Sequence, residues 1–320
     1  MIIVTGVTAR VPAKLNLQLA VGPPRADGYH DLVTVFHAVS LFDQVTVEPA
    51  GRDGITVTGE GADRVPADQD NLALRAIEAL RAAVPDRGTA AVHVTIAKRI
   101  PVAAGLAGGS ADAAAALVAC NELWATGLTQ PQLCGIGATV GSDVAFALLG
   151  GTAVGRGRGE QLTPALAPAT QYHWVLAFAD GQLSTPAVYA ALDRLRAARN
   201  EDPAGAADHV PPAPVKPDLD APLMSALRSG DAARVGQRLS NDLQPAAVSL
   251  FPALRKTLTA GLELGALGAL VAGSGPTCVF LAANAERALE LAVSLSGAGV
   301  CRSVARVSGP APGAALVSAE

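Results

Sequence analysis

The run PVAAGLAGGSADAAAAL, residues 101–117, limits the possible folds of this chain more than any other segment. Residues 111–118 are dense in alanine, the best helix former, and Ser110 suits an N-cap because its hydroxyl accepts a first-turn N–H. A helix is therefore expected over 110–126. Ahead of it, Gly105, Gly108 and Gly109 can reach positive φ and let a ligand approach the main chain. Bare N–H groups and the positive end of the helix dipole would face one point, and phosphate is the usual occupant of such a place. A Walker A loop needs Gly-Lys-Ser/Thr, and Gly-Lys occurs nowhere in the chain. The dinucleotide spacing Gly-x-Gly-x-x-Gly is not met by Gly105-Leu106-Ala107-Gly108-Gly109. The loop reads as a phosphate cradle of another kind. Taken alone, it also suits a plain turn before a core helix.

The chain has 320 residues, room for about two domains. Half are hydrophobic but only 3% are aromatic, so the core must be built from Ala, Val and Leu. A net charge of −4 with scattered basic residues argues against a general nucleic-acid binder or a membrane-surface patch. Cys120, Cys134, Cys278 and Cys301 show no Cys-x-x-Cys pair and no metal-ligand spacing. Free thiols fit a reducing compartment. The start, MIIVTGVTAR, lacks signal-peptide character, and no apolar run is long enough for a membrane span. A cytoplasmic protein is expected.

Residues 1–60 alternate apolar and polar as strands do. VTVEP and ITVTG are expected to pair as a hairpin around AGRDG. Leu72, Ile77 and Leu80 predict an amphipathic helix over 71–84. VHVTIAKRI is a strand feeding the glycine loop, with a helix following over 130–139 and then a short segment over 142–149. A first domain is expected over 1–164 and a second, compact α+β one over 165–308. The second holds strand HWVLAFA, a helix with Ser184 or Thr185 at its start and Pro186 in its first turn, strands GALVAG and TCVFLA, helix 284–296 and strand 300–307. Residues 201–218, rich in Pro, Ala and Asp, predict an exposed, mobile loop. The tail, 309–320, is expected to fray.

Four further stretches could carry chemistry. In VPAKLNLQLAV, Lys14 interrupts a strand with Asn16 on the same face, although a solvated edge lysine reads the same way. In PRADGYHDL, Asp27-Gly28 marks a turn. Tyr29 and His30 then offer a ring and an imidazole that can stack on a nucleobase and read its edge; a tyrosine packed under the turn is the alternative. In GSDVAFALLGG, Asp143 is a lone carboxylate in an apolar run. It suits a proton acceptor beside a lysine, or Ser142 or Asp143 is simply an N-cap. Finally, Gly273-Ser274-Gly275-Pro276 is a small-residue turn that permits close backbone approach.

Taken in order, Pro-Ala-Lys-x-Asn-Leu, Arg-x-Asp-Gly-Tyr-His, Pro-x-x-x-Gly-Leu-x-Gly-Gly-Ser, Gly-Ser-Asp-Val and Gly-Ser-Gly-Pro resemble the GHMP-superfamily small-molecule kinases, over residues 8 to about 307. The resemblance implies an α+β, two-domain GHMP kinase fold: an N-terminal domain like ribosomal protein S5 domain 2 and a ferredoxin-like C-terminal domain. It implies that ATP, with Mg²⁺, binds along Pro101, Val102, Ala103, Ala104, Gly105, Leu106, Ala107, Gly108, Gly109, Ser110, Ala111 and Asp112, with no metal ligand assigned directly. Lys14 and Asp143 match the family's catalytic pair; Asn16, Tyr29, His30, Thr185 and Tyr189 match residues that hold the acceptor. RADGYHDLVTVFHAVSLFDQV is similar to the branch whose acceptor is a cytidine diphospho-methylerythritol in non-mevalonate isoprenoid synthesis, which would let Tyr29 and Tyr189 sandwich cytosine. The implied partners are these small molecules, with no nucleic acid or membrane, and the implied state is a monomer or weak homodimer. Two positions depart from the family. Ala107 stands where glycine is frequent, so that position need not adopt positive φ; Asp112 stands where many members have Asn, and should point away from phosphate or sit near Mg²⁺. A non-catalytic nucleotide binder on this fold would need neither Lys14 nor Asp143.

Overall fold

The structure, a computed structural model, describes residues 6–165, 170–201 and 216–317. Most of the loop expected over 201–218 lies outside these residues. Strands β1 (Val7–Pro24) and β2 (His30–Pro49) pair antiparallel, with register shifts between Pro12 and Ala13 and between Asn16 and Gln18. Such bulges bend a strand and re-aim its side chains, and Lys14 lies between the two. Strand β3 (Gly54–Gly59), helix α1 (Leu72–Ala83) and strand β4 (Val92–Lys98) follow. Asn71 caps α1, its side chain accepting from the Ala73 N–H.

The expected hairpin between VTVEP and ITVTG does not form. β4 inserts between them, antiparallel to β2 and parallel to β3. Burial explains the order: Val92, Val94 and Ile96 of β4 are fully buried, whereas β3 exposes Thr56 and Thr58 and so belongs at the edge.

Helix α2 (Gly108–Leu123) runs through the middle of this half, touching α1, β1 and β2. Ala111 and Ala113–Ala116 are all buried. A helix hidden nearly all round needs small side chains, which is why alanine dominates here. Helices α3 (Gln130–Val140) and α4 (Val144–Leu149) and strands β5 (Thr152–Gly157) and β6 (Gln161–Pro164) complete the half, β5 pairing with β2.

The second half continues with β7 (Tyr172–Phe178), α5 (Thr185–Glu201), α6 (Ala221–Ser229), α7 (Ala232–Gly236), β8 (Ser240–Asn241), α8 (Gln244–Leu250) and α9 (Ala253–Glu263). It ends with β9 (Gly268–Val271), β10 (Cys278–Ala282), α10 (Ala285–Ala298), β11 (Ser303–Gly309) and β12 (Ala315–Leu316). Its antiparallel sheet has the order β11-β7-β10-β9, the ferredoxin-like arrangement.

The C-terminal segment is not frayed over its described residues. β12 pairs with β1 through Ala9 and Arg10. Ala311 is buried in a cluster with Phe36 and Phe146, and Gly313 packs against the Leu148 carbonyl so closely that a Cβ there would collide with it. Packing against the first sheet outweighs the chain-end entropy. The four cysteines are free, and burial pushes the Cys120 and Cys278 thiols up to about 12.

Candidate active site

The glycine loop joins β4 to α2. Gly105 has φ 77, and a Cβ on it would land on the Ala272 carbonyl oxygen. Only glycine allows the loop to close against the Gly273–Pro276 turn. Ala107 has φ 60 and is the N-cap of α2. Ala107 does take positive φ although it is not glycine, and one expectation is corrected: α2 begins at Gly108, which leaves Ser110 inside the first turn and not at the N-cap. A left-handed alanine costs about 1–2 kcal/mol. The neighbouring Ala104 and Leu106 are buried, which fixes the loop on either side of that strain.

A buried charge cluster braces the cradle from behind. Lys98 Nζ donates to Asp43 Oδ2 at 2.5 Å and to Asp112 Oδ2 at 2.7 Å. Asp43 Oδ1 also accepts the Arg99 and Ile100 N–H groups, at 2.5 and 2.8 Å. Asp112 therefore points away from the phosphate cradle, the first of the two orientations expected for it. Burial raises the Asp112 carboxyl well above its ordinary range, opposed by Lys98 and reinforced by Asp43. Burial alone would lower Lys98, but the charges of Asp112 and Asp43 outweigh it and raise the ammonium. Sequence reasoning missed Asp43 and Lys98; the available signal was a lone carboxylate in SLFDQV and a lysine at the end of an apolar strand.

At the centre, Lys14 Nζ donates to Asn16 Oδ1 at 2.7 Å, and Asn16 Nδ2 donates to Thr34 Oγ1 at 2.8 Å. Asp143 Oδ2 lies 3.7 Å from Lys14 Nζ. Asp143 occupies the N-cap position of α4 yet makes no side-chain capping bond. Its carboxylate faces the lysine instead. Lys14 also stands 5.7 Å from the Phe36 ring centroid, and Phe36 stacks on Phe146. Phe36 was not legible as a site residue, since an aromatic in a strand reads as core.

Tyr29 projects from the Asp27-Gly28 turn and is 54% exposed. The Arg158 guanidinium lies 5.1 Å from its ring centroid. His30 is buried, with Nε2 at 3.0 Å from Asp193 Oδ1. Its ring lies 5.0 Å from that of Tyr189 on α5. Burial, and then the negative charge of Asp143, push the Tyr189 phenol above its ordinary range. Thr185 Oγ1 is 2.8 Å from Ser274 Oγ, which ties the start of α5 to the Gly273–Pro276 turn.

A cleft of about 970 Å³ takes in Lys14, Asn16, Tyr29, His30, Asp143, Thr185 and Tyr189, together with Ala103, Ala104, Gly105, Ala107, Gly108 and Gly109. Both halves of the chain contribute walls, and the volume is large for one small ligand. Other loop residues stand apart from it. Pro101 and Val102 line a separate hollow of about 130 Å³, while Leu106, Ala111 and Asp112 are buried. Among the described residues no three His, Cys, Asp or Glu side chains form a cluster able to hold a metal ion. Among the same residues no helix is long and apolar enough to cross a membrane.

Comparison with known proteins identifies the family. The family models described as GHMP kinases N terminal domain and GHMP kinases C terminal match residues 71–151 and 223–301. A 4-diphosphocytidyl-2-C-methyl-D-erythritol kinase of Thermobifida fusca is 53% identical over 98% of this chain and 99% of its own. The enzyme of the same name from Mycolicibacterium smegmatis is 54% identical over 98% and 93%. A crystal structure of 4-(cytidine 5'-diphospho)-2C-methyl-D-erythritol kinase superposes with a TM-score of 0.72 at 33% identity, covering 94% of this chain and 98% of that one. A homoserine kinase from Cytophaga hutchinsonii, 18% identical, shares the fold with a TM-score of 0.71 over 98% of each chain.

Proposed function

The chain belongs to the GHMP kinases, and from that membership we propose how its cleft works. It phosphorylates the 2-hydroxyl of 4-diphosphocytidyl-2-C-methyl-D-erythritol with ATP, a step of non-mevalonate isoprenoid precursor synthesis. The observation that carries the residue assignments is the Lys14–Asp143 contact of 3.7 Å, in the same cleft as the glycine cradle and the His30–Tyr189 pair.

Phosphoryl transfer asks a protein mainly for positioning and charge neutralisation. The backbone N–H groups at the start of α2, from Gly108 to Ser110, with the loop around Gly105, hold the ATP phosphates at the mouth of the helix. The acceptor's 2-oxygen attacks the γ-phosphorus, its bond to the β–γ bridging oxygen breaks, and ADP leaves. Asp143 takes the proton of the attacking hydroxyl. Lys14 neutralises charge on the transferred group, and Asn16 fixes the ammonium in place. His30, Tyr29, Tyr189 and Thr185 hold the cytidine end, and that remote binding orients the distant hydroxyl.

Mg²⁺ belongs to this reading as the nucleotide's companion, supplying further charge neutralisation. Mg²⁺ bound to phosphates takes few protein oxygens, and the donors here suit it. Ser110 lies in the first turn of α2, with its Oγ 3.7 Å from where a Cβ on Gly141 would sit, two residues before Asp143. Ser110 is the side chain we assign to it. The same reading puts the reaction in the cytoplasm, on a monomer or weak homodimer, with the site between segments 1–164 and 165–308.

The test is ATP-dependent phosphorylation of the cytidyl acceptor by purified protein, with homoserine and mevalonate as parallel acceptors. Selective product from the cytidyl compound is expected. ATP binding without transfer to any acceptor would leave a nucleotide-binding regulator as the better account.

A further inference from the structure

Lys14, Asn16 and Thr34 form a buried polar chain between β1 and β2. Its last link is to the main chain, where Thr34 Oγ1 donates to the Gln18 carbonyl at 2.7 Å. A register shift makes this link. Asn16 pairs with Phe36 and Leu19 pairs with Thr34, so a step of three residues on β1 faces a step of two on β2, the mark of a bulge. The bulge keeps Asn16 on the face of Thr34 and Phe36 and sets the Gln18 carbonyl beside the Thr34 hydroxyl.

Hydrogen-bond polarity runs one way along this chain. A carbonyl only accepts, so the single hydroxyl proton of Thr34 is committed to Gln18. The Thr34 oxygen can then only accept. What reaches it at 2.8 Å is therefore Asn16 Nδ2, and Asn16 Oδ1 must face Lys14 Nζ, at 2.7 Å. Turned over, Asn16 would set an amide donor against an ammonium, and its oxygen against a hydroxyl with no proton left. Gln18 is itself anchored to the second half of the chain. Its Nε2 donates to the Asp218 carbonyl at 2.8 Å, and its Oε1 accepts the Asp220 N–H at 3.0 Å.

The other end of the chain is the reacting centre. Lys14 Nζ stands 3.7 Å from Asp143 Oδ2, beyond a normal hydrogen bond. Without the Asn16 acceptor the ammonium would close that gap and occupy the carboxylate that takes the hydroxyl proton. We propose that Thr34 is a positioning residue: its hydroxyl, turned to the Gln18 carbonyl, fixes which way the Asn16 amide faces and so holds the Lys14 ammonium off Asp143. This rests on the function proposed above. Thr34 is wholly buried, so it acts through Asn16 and not by touching a substrate.

The experiment compares full-length wild type with Thr34→Val, Thr34→Ser, Asn16→Ala and the double variant Thr34→Val, Asn16→Ala. Thr8→Val is the control, since Thr8 Oγ1 lies 2.8 Å from Thr46 Oγ1 on the same two strands but outside the cleft. Rates are read at a temperature where circular dichroism shows each variant folded, and Thr34→Ala replaces Thr34→Val if the latter does not fold. Thr34→Val keeps the shape and removes the hydroxyl. It should lower kcat roughly 10-fold to 100-fold, the scale of a misplaced catalytic group, with the KM for ATP and for the acceptor within about twofold of wild type. Thr34→Ser should restore most of the kcat, and Thr8→Val should keep it. In the Asn16→Ala background Thr34→Val should add little, because the hydroxyl works only through that amide. A crystal structure of Thr34→Val reads the arrangement without turnover: Lys14 Nζ should leave Asn16 and close on Asp143. An unchanged kcat, a fully additive loss in the double variant, or a Lys14–Asn16 bond that stays in place overturns the proposal. Wild type that phosphorylates no acceptor would fail the function reading alone, and the crystal structure would still decide the role of Thr34.

Discussion

Lys14 Nζ lies 2.7 Å from Asn16 Oδ1 but 3.7 Å from Asp143 Oδ2. The ammonium is held by its strand neighbour, while the carboxylate stays close enough to feel its charge yet has no bond from it. Asp143 also leaves its capping role unused. Its oxygens are thus available to a third party, the acceptor hydroxyl.

Replacing Asp143 with Asn should separate chemistry from stability. No capping bond is lost, so the melting temperature should stay within a degree or two of wild type. The turnover number should fall at least ~100-fold, the usual scale for a positioned acid–base group. Circular dichroism melts and single-turnover phosphorylation read the two effects. Near-normal turnover by Asp143→Asn would refute its role as proton acceptor.

Two glycines in the cradle should respond in opposite directions. Gly105→Ala forces a side chain into φ 77 and onto the Ala272 carbonyl. Backbone strain of about 1–3 kcal/mol, plus displacement of the Gly273–Pro276 turn, should lower the melting temperature and raise the ATP KM. At Gly109 a Cβ meets only Leu72 Cδ1, at 3.4 Å. Gly109→Ala, inside a helix, should hold or raise the melting temperature, by up to about 1 kcal/mol. Thermal denaturation of the two variants side by side decides this, and equal melting temperatures would count against the interlocked-loop picture.

Contiguous motifs made much of this site legible. Lys14 with Asn16, Tyr29 with His30, and the glycines of 105–109 are each close in sequence, so local pattern sufficed to pick them out. What escaped depends on contacts between distant segments. Arg158 meets Tyr29 only because β5 pairs with β2, and Asp43 meets Lys98 only because β4 pairs with β2. The false hairpin has the same origin: a turn signal is local, but the choice of partner for β3 was settled by the more buried β4. Positive φ at Ala107 was invisible because side-chain identity argues against it, and tertiary packing overrode that preference.

His37 should make the fold acid-sensitive. It is fully buried, and burial lowers its imidazole from 6.5 to about 3, partly offset by the nearby Gly309 backbone. Its Nδ1 is 2.8 Å from Thr152 Oγ1. A depressed folded-state value means the unfolded chain binds the extra proton. The stabilisation is therefore complete above 6.5 and lost as pH falls toward 3, by up to roughly 5 kcal/mol. The melting temperature should drop across that window, and His37→Gln should flatten the slope. A wild-type curve that is level between pH 6.5 and 4 would sink the assignment.

Asp112 should act in the opposite sense. One ammonium, Lys98, faces two carboxylates, and all three side chains are nearly inaccessible. Asp43 is saturated as an anion by Lys98 and two backbone N–H groups. Asp112 accepts only from Lys98, and its Oδ1 is buried without a partner. Of the two carboxyls, Asp112 is therefore the one that takes up a proton more readily. A folded-state value raised above the ordinary 3.8 means the folded chain binds more protons, so stability falls as pH rises above that value. Asn copies the shape of the neutral acid and cannot ionise. Asp112→Asn should match wild type near pH 4 and melt progressively higher than wild type toward pH 8, with ATP KM little changed. Asp43→Asn, which removes a true anion, should melt lower at every pH in that range. If Asp112→Asn instead loses stability by the same amount at pH 5 and pH 8, Asp112 is ionised in the fold and the proton lies elsewhere.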